Sequence, residues 1–241
     1  MRIHKPLLFS FFGINMEKIK EHNNKLIKRF DILNKFSTNE IDMLTKYIGP
    51  GSRNKPYNFF DIQQYLIDGR VFVTPSNSYD PNYKTAGGIC SEVKLMLKDK
   101  EDLIKKYIMD MTTLIITRQL HIKYNLYRCM DISYSNNTIN TFSSWSLIPL
   151  QSFCETGKDV YIYQITGGCK GLYIEINEKN DKWMSRYEYE VILPPGVQFI
   201  PIKTETINML SNSYIYDKSH NTKSTNSVIT VHYIKINNSI P

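Results

Sequence analysis

Apolar positions in the first half of the chain recur at helical spacing. Across residues 15–35, Leu26, Ile27, Phe30 and Leu33 fall on one face, with Lys and Glu opposite, which predicts an amphipathic helix. Ser37-Thr-Asn-Glu40 is a capping box. It opens a second helix carrying Ile41, Leu44, Tyr47 and Ile48, closed by Gly49-Pro50-Gly51. A short third helix is expected over Asp61–Ile67, ended by Gly69, and residues 99–111 return to helical spacing at Leu103, Ile104, Tyr107, Ile108 and Met111. Between these, Val71-Phe-Val73 is a short apolar segment, and residues 74–89, with Pro, Ser, Asn and Gly, read as a loop.

From about residue 113 the pattern changes to short strands. Leu126–Met130, Val160–Ile165, Gly171–Ile176 and Val228–Ile236 each fit one. Residues 187–202 read as a hairpin: Val191-Ile-Leu193 anchors the first strand, Pro194-Pro-Gly196 turns the chain, and Val197 to Ile202 returns. Residues 205–227 are polar and are expected to form a long loop. Helices first and strands second, without βαβ alternation, point to an α+β protein and away from a doubly wound sheet.

Composition narrows the function classes. With 41% hydrophobic residues, 241 residues can bury one large core, with room for a small helical appendage. We expect that appendage over 1–35 and the main domain over 36–241. The formal net charge of +7 is dispersed rather than gathered in a run, which argues against a nucleic-acid-binding arm. A positive surface still attracts a polyanionic small molecule such as a dinucleotide. Cys90, Cys129, Cys154 and Cys169 are widely spaced with no Cys-x-x-Cys, so neither a zinc site nor a disulfide scaffold is indicated, and reduced thiols in a cytosol are expected. No apolar run is long enough to span a membrane. Met1–Ile14 places basic residues before a short apolar patch but has no small-x-small cleavage site. It reads as a buried leading segment rather than a secretory signal. The abundance of Lys, Asn and Ile fits an AT-rich genome: a virus, a phage or a low-GC bacterium.

Three short elements carry candidate chemistry. The first is Tyr127-Arg128, where an arginine in an apolar strand is explained if its fork meets a phosphate or carboxylate; an arginine at a strand edge is the plain alternative. The second is Phe142-Ser-Ser-Trp-Ser146, whose Ser144 and Ser146 share a strand face and offer hydroxyls to hold a sugar or orient an acid. The third is Glu188-Tyr-Glu190, at the mouth of the apolar run 191–193. In a strand both acids would project to one side, and paired acids can do two jobs if their surroundings differ. Taken alone, a Glu-x-Glu also fits the solvated edge of a hairpin.

In this order and spacing the three elements resemble the Arg–Ser–Glu class of ADP-ribosyltransferases, which includes bacterial toxins and arginine-specific vertebrate enzymes. Other stretches agree with it. Phe36–Gly49 is similar to a family helix, Lys170-Gly-Leu-Tyr-Ile174 to the strand before its recognition loop, and Glu190-Val-Ile-Leu-Pro-Pro-Gly-Val-Gln-Phe199 to the run after its catalytic acid. The resemblance covers roughly residues 36–236. It implies a two-sheet β core, NAD as substrate without a metal, and a target protein as acceptor.

The site residues follow from the same resemblance. Arg128, with Tyr127 beside it, would clamp the NAD phosphates and ribose. Ser144 and Ser146 would hold the nicotinamide ribose and the acid, and Phe153 would lie against the nicotinamide. Glu190 would be the catalytic acid. Glu188 would serve the acceptor and, as Glu rather than Gln, implies arginine. Trp183, Met184 and Tyr187, in the preceding loop, would touch the target. The implied place of action is a cytoplasm, the cell's own or that of a host. Trp145 stands where the family has Thr, and Cys129 where many members have Gly. These departures leave open a degenerate, non-catalytic binding module, and NAD hydrolysis without a protein acceptor is a third reading. Trp145 alternates with Ser144 and Ser146, so its ring is expected to pack on the other side of the sheet.

Overall fold

The structure is a computed structural model, and it describes residues 12–33, 36–48, 57, 59–71, 91–130, 133–134, 136–149, 160–174, 189–208, 214–216, 222–224 and 228–237. The loop expected at 74–89, the helix closure at 49–51, and Cys90 and Cys154 lie outside them. The described helices are α1 (Met16–Leu33), α2 (Thr38–Ile48), α3 (Phe59–Asp68) and α4 (Ser91–Arg118). Strands follow from Leu120 onward, so the architecture is α+β.

Helix starts follow local chemistry. The Asn15 side chain accepts from the N–H groups of Glu17 (3.0 Å) and Lys18 (3.1 Å) and caps α1. The capping box ahead of α2 forms in both directions: Ser37 N–H donates to Glu40 (2.7 Å) and Glu40 N–H to Ser37 Oγ (3.3 Å). Gly69 ends α3 with its N–H on the Tyr65 carbonyl at 2.8 Å. Helix α4 runs well past the expected 99–111. Ile104, Tyr107, Met111, Leu114 and Ile115 are all buried at helical spacing, so the apolar stripe continues where a shift to strand was expected.

The chain divides into two compact units, Phe36–Leu114 and Met1–Lys35 with Ile115–Pro241. In the first, Tyr107 Oη donates to the Met43 carbonyl (3.0 Å), tying α4 to α2, and Lys100 pairs with Asp61 (2.9 Å), tying α4 to α3. In the second, α1 is not an appendage. Its stripe of Ile19, Asn23 and Leu26 is buried, and Ile19 and Leu26 join the sheet's core with Trp145 and Val191. Helix α1 therefore belongs with the strands.

The strands are β1 (Leu120–Ile122), β2 (Leu126–Met130), β3 (Thr138–Ile139), β4 (Ser143–Ser146), β5 (Val160–Ile165), β6 (Cys169–Ile174), β7 (Glu190–Leu193), β8 (Val197–Asn208), β9 (Tyr214–Tyr216), β10 (Thr222–Ser224) and β11 (Val228–Ile236). Nine of them form one mixed sheet in the order β1-β6-β7-β4-β2-β5-β11-β8-β3. Only β11 and β5 are parallel. The two-sheet core takes the form of two halves, β1-β6-β7-β4 and β2-β5-β11-β8-β3, joined through one residue pair, Tyr127 opposite Ser146. Tyr163, Ile165, Trp145, Tyr173 and Val191 fill the larger cluster; Tyr127, Cys129, Ile162 and Val231 lie in a second one on the other face of β2, β5 and β11.

Two expectations change here. Residues 187–202 are not a hairpin. Pro194–Gly196 does turn the chain, but β7 pairs with β4 and β6 while β8 pairs with β11 and β3. The turn hands the chain from one half of the sheet to the other, held by Gly196 N–H on the Ile139 carbonyl at 2.8 Å. Residues 205–227 are not one loop either: β8 extends to Asn208, and β9 and β10 pair as a separate ladder. The end of β8 and β10 (Thr-Lys-Ser) are polar and β9 (Tyr-Ile-Tyr) is only three residues long, so no alternating apolar run marks them.

Two predictions follow from the fold. Gly168 has φ +76°, and an added Cβ would stand 1.9 Å from the Ile122 carbonyl oxygen. Gly196 has φ +83° but open space around it. Gly168→Ala is expected to lower unfolding free energy by about 3 kcal/mol and Gly196→Ala by about 1 kcal/mol, read from urea midpoints. The second concerns two half-buried histidines. His22 lies against Tyr124, and His232 stacks on Tyr163 with Nδ1 at 3.1 Å from Thr204 Oγ1. Burial holds both below the usual histidine range, and Lys25 and Lys123 push His22 the same way. A lowered folded pKa means the unfolded chain binds the proton first. The stability is therefore complete above about pH 6.5 and is lost as pH falls through the folded values. Between pH 7.5 and 5, Tm of the wild type is expected to drop more than that of a His22→Gln/His232→Gln variant, as calorimetry would show.

Candidate active site

Strands β2, β4 and β7 carry the candidate residues and lie side by side in the sheet. Register aligns them: Gln164, Tyr127, Ser146, Glu190 and Ile174 stand directly opposite one another across five successive strands. Opposed residues on paired strands bring their Cβ atoms to about 4.5–5.5 Å, so Ser146 and Glu190 are immediate neighbours. Ser144 is the diagonal neighbour of Glu190 on the same pleat, since its own partner is Ile192.

Arg128 reaches this line by another route. It alternates with Tyr127 and starts from the Tyr163 side of the sheet. With a single pair holding β2 to β4, the two strands part beyond it. The guanidinium spans the opening, and Nη1 donates to the Ser144 carbonyl at 2.8 Å. The arginine therefore bonds the serine's backbone, not its hydroxyl. Its Nε is buried with no hydrogen-bond partner. The Tyr134 phenol lies beside it. Burial raises that phenol's pKa, and the Arg128 charge pulls it back. Tyr134 packs edge-on against Tyr163 (4.8 Å between centroids), whose hydroxyl accepts from Tyr134 N–H at 2.9 Å. Sequence reasoning passed over Tyr134, which lies beyond β2 with no pattern to mark it.

Glu190 is 9% exposed and opens β7, whose four residues are all buried. A sheltered carboxylate acts through a lower effective dielectric than water. The residue before it is unusual. Tyr189 has φ 47°, the left-handed region, and is the one non-glycine with positive φ among the described residues. For a bulky aromatic this conformation costs about 1–3 kcal/mol, and it persists where surrounding structure enforces it. The rule that i and i+2 share a face holds within a strand, and β7 begins only at Glu190. Glu188 itself lies outside the described residues, as do Phe153, Trp183, Met184 and Tyr187.

Ser146 Oγ accepts from Ile148 N–H (3.1 Å), which fixes the turn after β4. Trp145 faces the opposite side, 1% exposed in the main cluster, and its Nε1 donates to Ser143 Oγ at 2.9 Å. The bulky ring is accommodated by packing, away from Ser144 and Ser146. Cys129 is buried beside Ile162 and Val231. Burial pushes the Cys169 thiol up to about 12 and keeps it protonated. Among the described residues no group of three His, Cys, Asp or Glu side chains is placed to hold a metal ion, and no helix is long and apolar enough to cross a membrane.

No protein-family model matches the chain, and no curated protein sequence does. Solved structures do. The chain is similar to the ADP-ribosylating toxin BECa of a binary enterotoxin of C. perfringens, solved with NADH, at a TM-score of 0.52 and 15% identity over 95% of this chain. It spans half the length of BECa. It is also similar to Plx2a, an ADP-ribosyltransferase toxin from Paenibacillus larvae, at a TM-score of 0.50 and 13% identity, covering 92% of this chain and 96% of Plx2a. The chain has the mono-ADP-ribosyltransferase fold.

Because Trp145 is a core residue, replacing it with threonine is expected to harm the protein. Trp145→Thr should lose about 3–5 kcal/mol in chemical denaturation. A variant as stable as wild type would show that the ring carries no packing energy.

Proposed function

We propose that this protein transfers ADP-ribose from NAD to an arginine side chain of a target protein and releases nicotinamide. The observation that supports it most is convergence. Arg128, Ser144, Ser146 and Glu190, scattered along the chain, lie on three adjacent strands: Ser146 stands opposite Glu190, and Arg128 donates to the Ser144 carbonyl. The fold is shared with ADP-ribosyltransferase toxins, one of them solved with NADH.

The chemistry suits these groups. Nicotinamide leaves from a cationic ring as a neutral molecule, so it takes the bonding electron pair without needing a proton. Positive charge then develops on the ribose, as in glycoside cleavage, and the sheltered carboxylate of Glu190 stabilises it. Arg128 offers a planar cationic fork to the pyrophosphate, already oriented by its bond to the Ser144 carbonyl. Ser144 and Ser146 place hydroxyls beside Glu190 for the ribose. A guanidinium nitrogen of the acceptor forms the new bond to the sugar carbon, and Glu188 takes the proton it releases. Phe153 would rest on the nicotinamide ring, Tyr127 would support the arginine, and Trp183, Met184 and Tyr187 would meet the target. The place of action would be a cytoplasm, the cell's own or a host's.

Labelled NAD incubated with purified chain and a cell lysate tests this. Wild type should label protein through a linkage stable to acid and labile to neutral hydroxylamine, as an arginine adduct is. Glu190→Gln should lower the rate by about 10²–10³. Glu188→Gln should abolish protein labelling yet leave slow nicotinamide release. Equal labelling by wild type and Glu190→Gln would refute the assignment. Free ADP-ribose as sole product would make the protein an NAD hydrolase.

A further inference from the structure

We infer that Tyr189 is a positioning residue for Glu190: a left-handed backbone latch, closed by its own buried ring, that sets where the carboxylate stands. The inference rests on the proposed role of Glu190 and adds a residue to it.

Four observations carry it. Tyr189 has φ 47°, a conformation that glycine adopts freely and a bulky aromatic avoids. Its ring is buried in the cluster that also holds Trp145, Leu147, Tyr173 and Val191, so the side chain is anchored on the core side. Its carbonyl accepts from Leu147 N–H at 3.4 Å, continuing the β4–β7 ladder one step beyond Ser146 and Glu190. Glu190 is paired on both sides, with Ser146 and with Ile174. The chain thus enters the sheet abruptly. Extended backbone starts at the carboxylate-bearing residue, and the residue before it is turned out of line.

The consequence is a fixed start for the strand: a left-handed Tyr189 turns the backbone out of line just before Glu190, and the sheet holds Glu190 from both sides. A glycine here would relieve the backbone and lose the anchor. Tyrosine keeps the anchor and holds the backbone in place by packing. Because misplacement by an ångström at a reacting centre is worth about 100-fold in rate, a residue that touches no substrate can still govern turnover.

The test compares Tyr189→Phe, which keeps the ring, with Tyr189→Gly, which keeps only the permissive backbone. Nicotinamide release is measured with NAD varied, beside Tm and a Glu190→Gln control. Tyr189→Phe is expected within about threefold of wild type. Tyr189→Gly is expected to lose about 10- to 100-fold in kcat with KM for NAD changed less than about threefold. A ring that only supports the fold would lower Tm and active fraction together, leaving kcat per folded molecule untouched. Tyr189→Gly with wild-type kcat per folded molecule, or Tyr189→Phe as impaired as Tyr189→Gly, overturns the inference while the reading of Glu190 stands. Equal turnover by wild type and Glu190→Gln removes that reading, and the inference falls with it.

Discussion

The site depends on how loosely β2 and β4 are joined. Most neighbouring strands in the main sheet share several register pairs; these two share Tyr127 and Ser146 alone. Had the pairing continued, Arg128 would stand opposite Trp145 as well as Tyr163, and the Ser144 carbonyl would belong to a strand-to-strand bond. Because it stops, a carbonyl is left for a side chain to satisfy, and the Arg128 guanidinium does so at 2.8 Å. A buried carbonyl without a partner is costly, so the bond serves the fold as well as the site. It also orders a long, rotamer-rich side chain, which on the proposed function would reduce the entropy lost on binding NAD.

Local features of this arrangement were legible in the sequence, and non-local ones were not. The capping box at Ser37 and Glu40 formed as its spacing predicts, because both partners lie within one turn of chain. β2, β5 and β11 match the apolar runs that announced them, β11 from Val228 to Ile236. The turn at Pro194–Gly196 was equally legible, but a turn says only that the chain reverses. Whether the returning strand pairs with the outgoing one is decided by what else competes for its edges. β7 is buried throughout and takes β4 and β6 as neighbours. β8, largely exposed along Ile200–Thr204, finds its ladder with β11. Helix α1 illustrates the same limit. Its stripe predicts that something covers it, yet only the fold shows that Trp145 and Val191 share its core.

For the candidate residues, alternation put Ser144 and Ser146 on one strand face, but that β2, β4 and β7 are neighbours is known only from the fold. Tyr134 and Tyr189 were silent. Nothing in a string of residue types marks a phenol that folds back beside an arginine, or a tyrosine whose φ is positive. Such strain is invisible in sequence because it violates local preference and is maintained by contacts made elsewhere.

Trp145 shows how so different a sequence can still hold the arrangement. Along β4, Ser144 and Ser146 point to the Glu190 side, and Ser143 and Trp145 to the core. One strand therefore carries two independent sets of constraints with a period of two. On the chemical side, short hydroxyls beside an acid leave little freedom. On the core side, any side chain that fills the space and satisfies its polar atoms will do, and Trp145 does both by giving its indole N–H to Ser143. A motif read as three consecutive letters mixes these sets and makes the tryptophan look like damage. Read by pleat, Ser144 and Ser146 share the Glu190 side and Trp145 does not. The two sets of constraints on β4 are met by different residues, so the packing side can change without disturbing the Ser146–Glu190 pair.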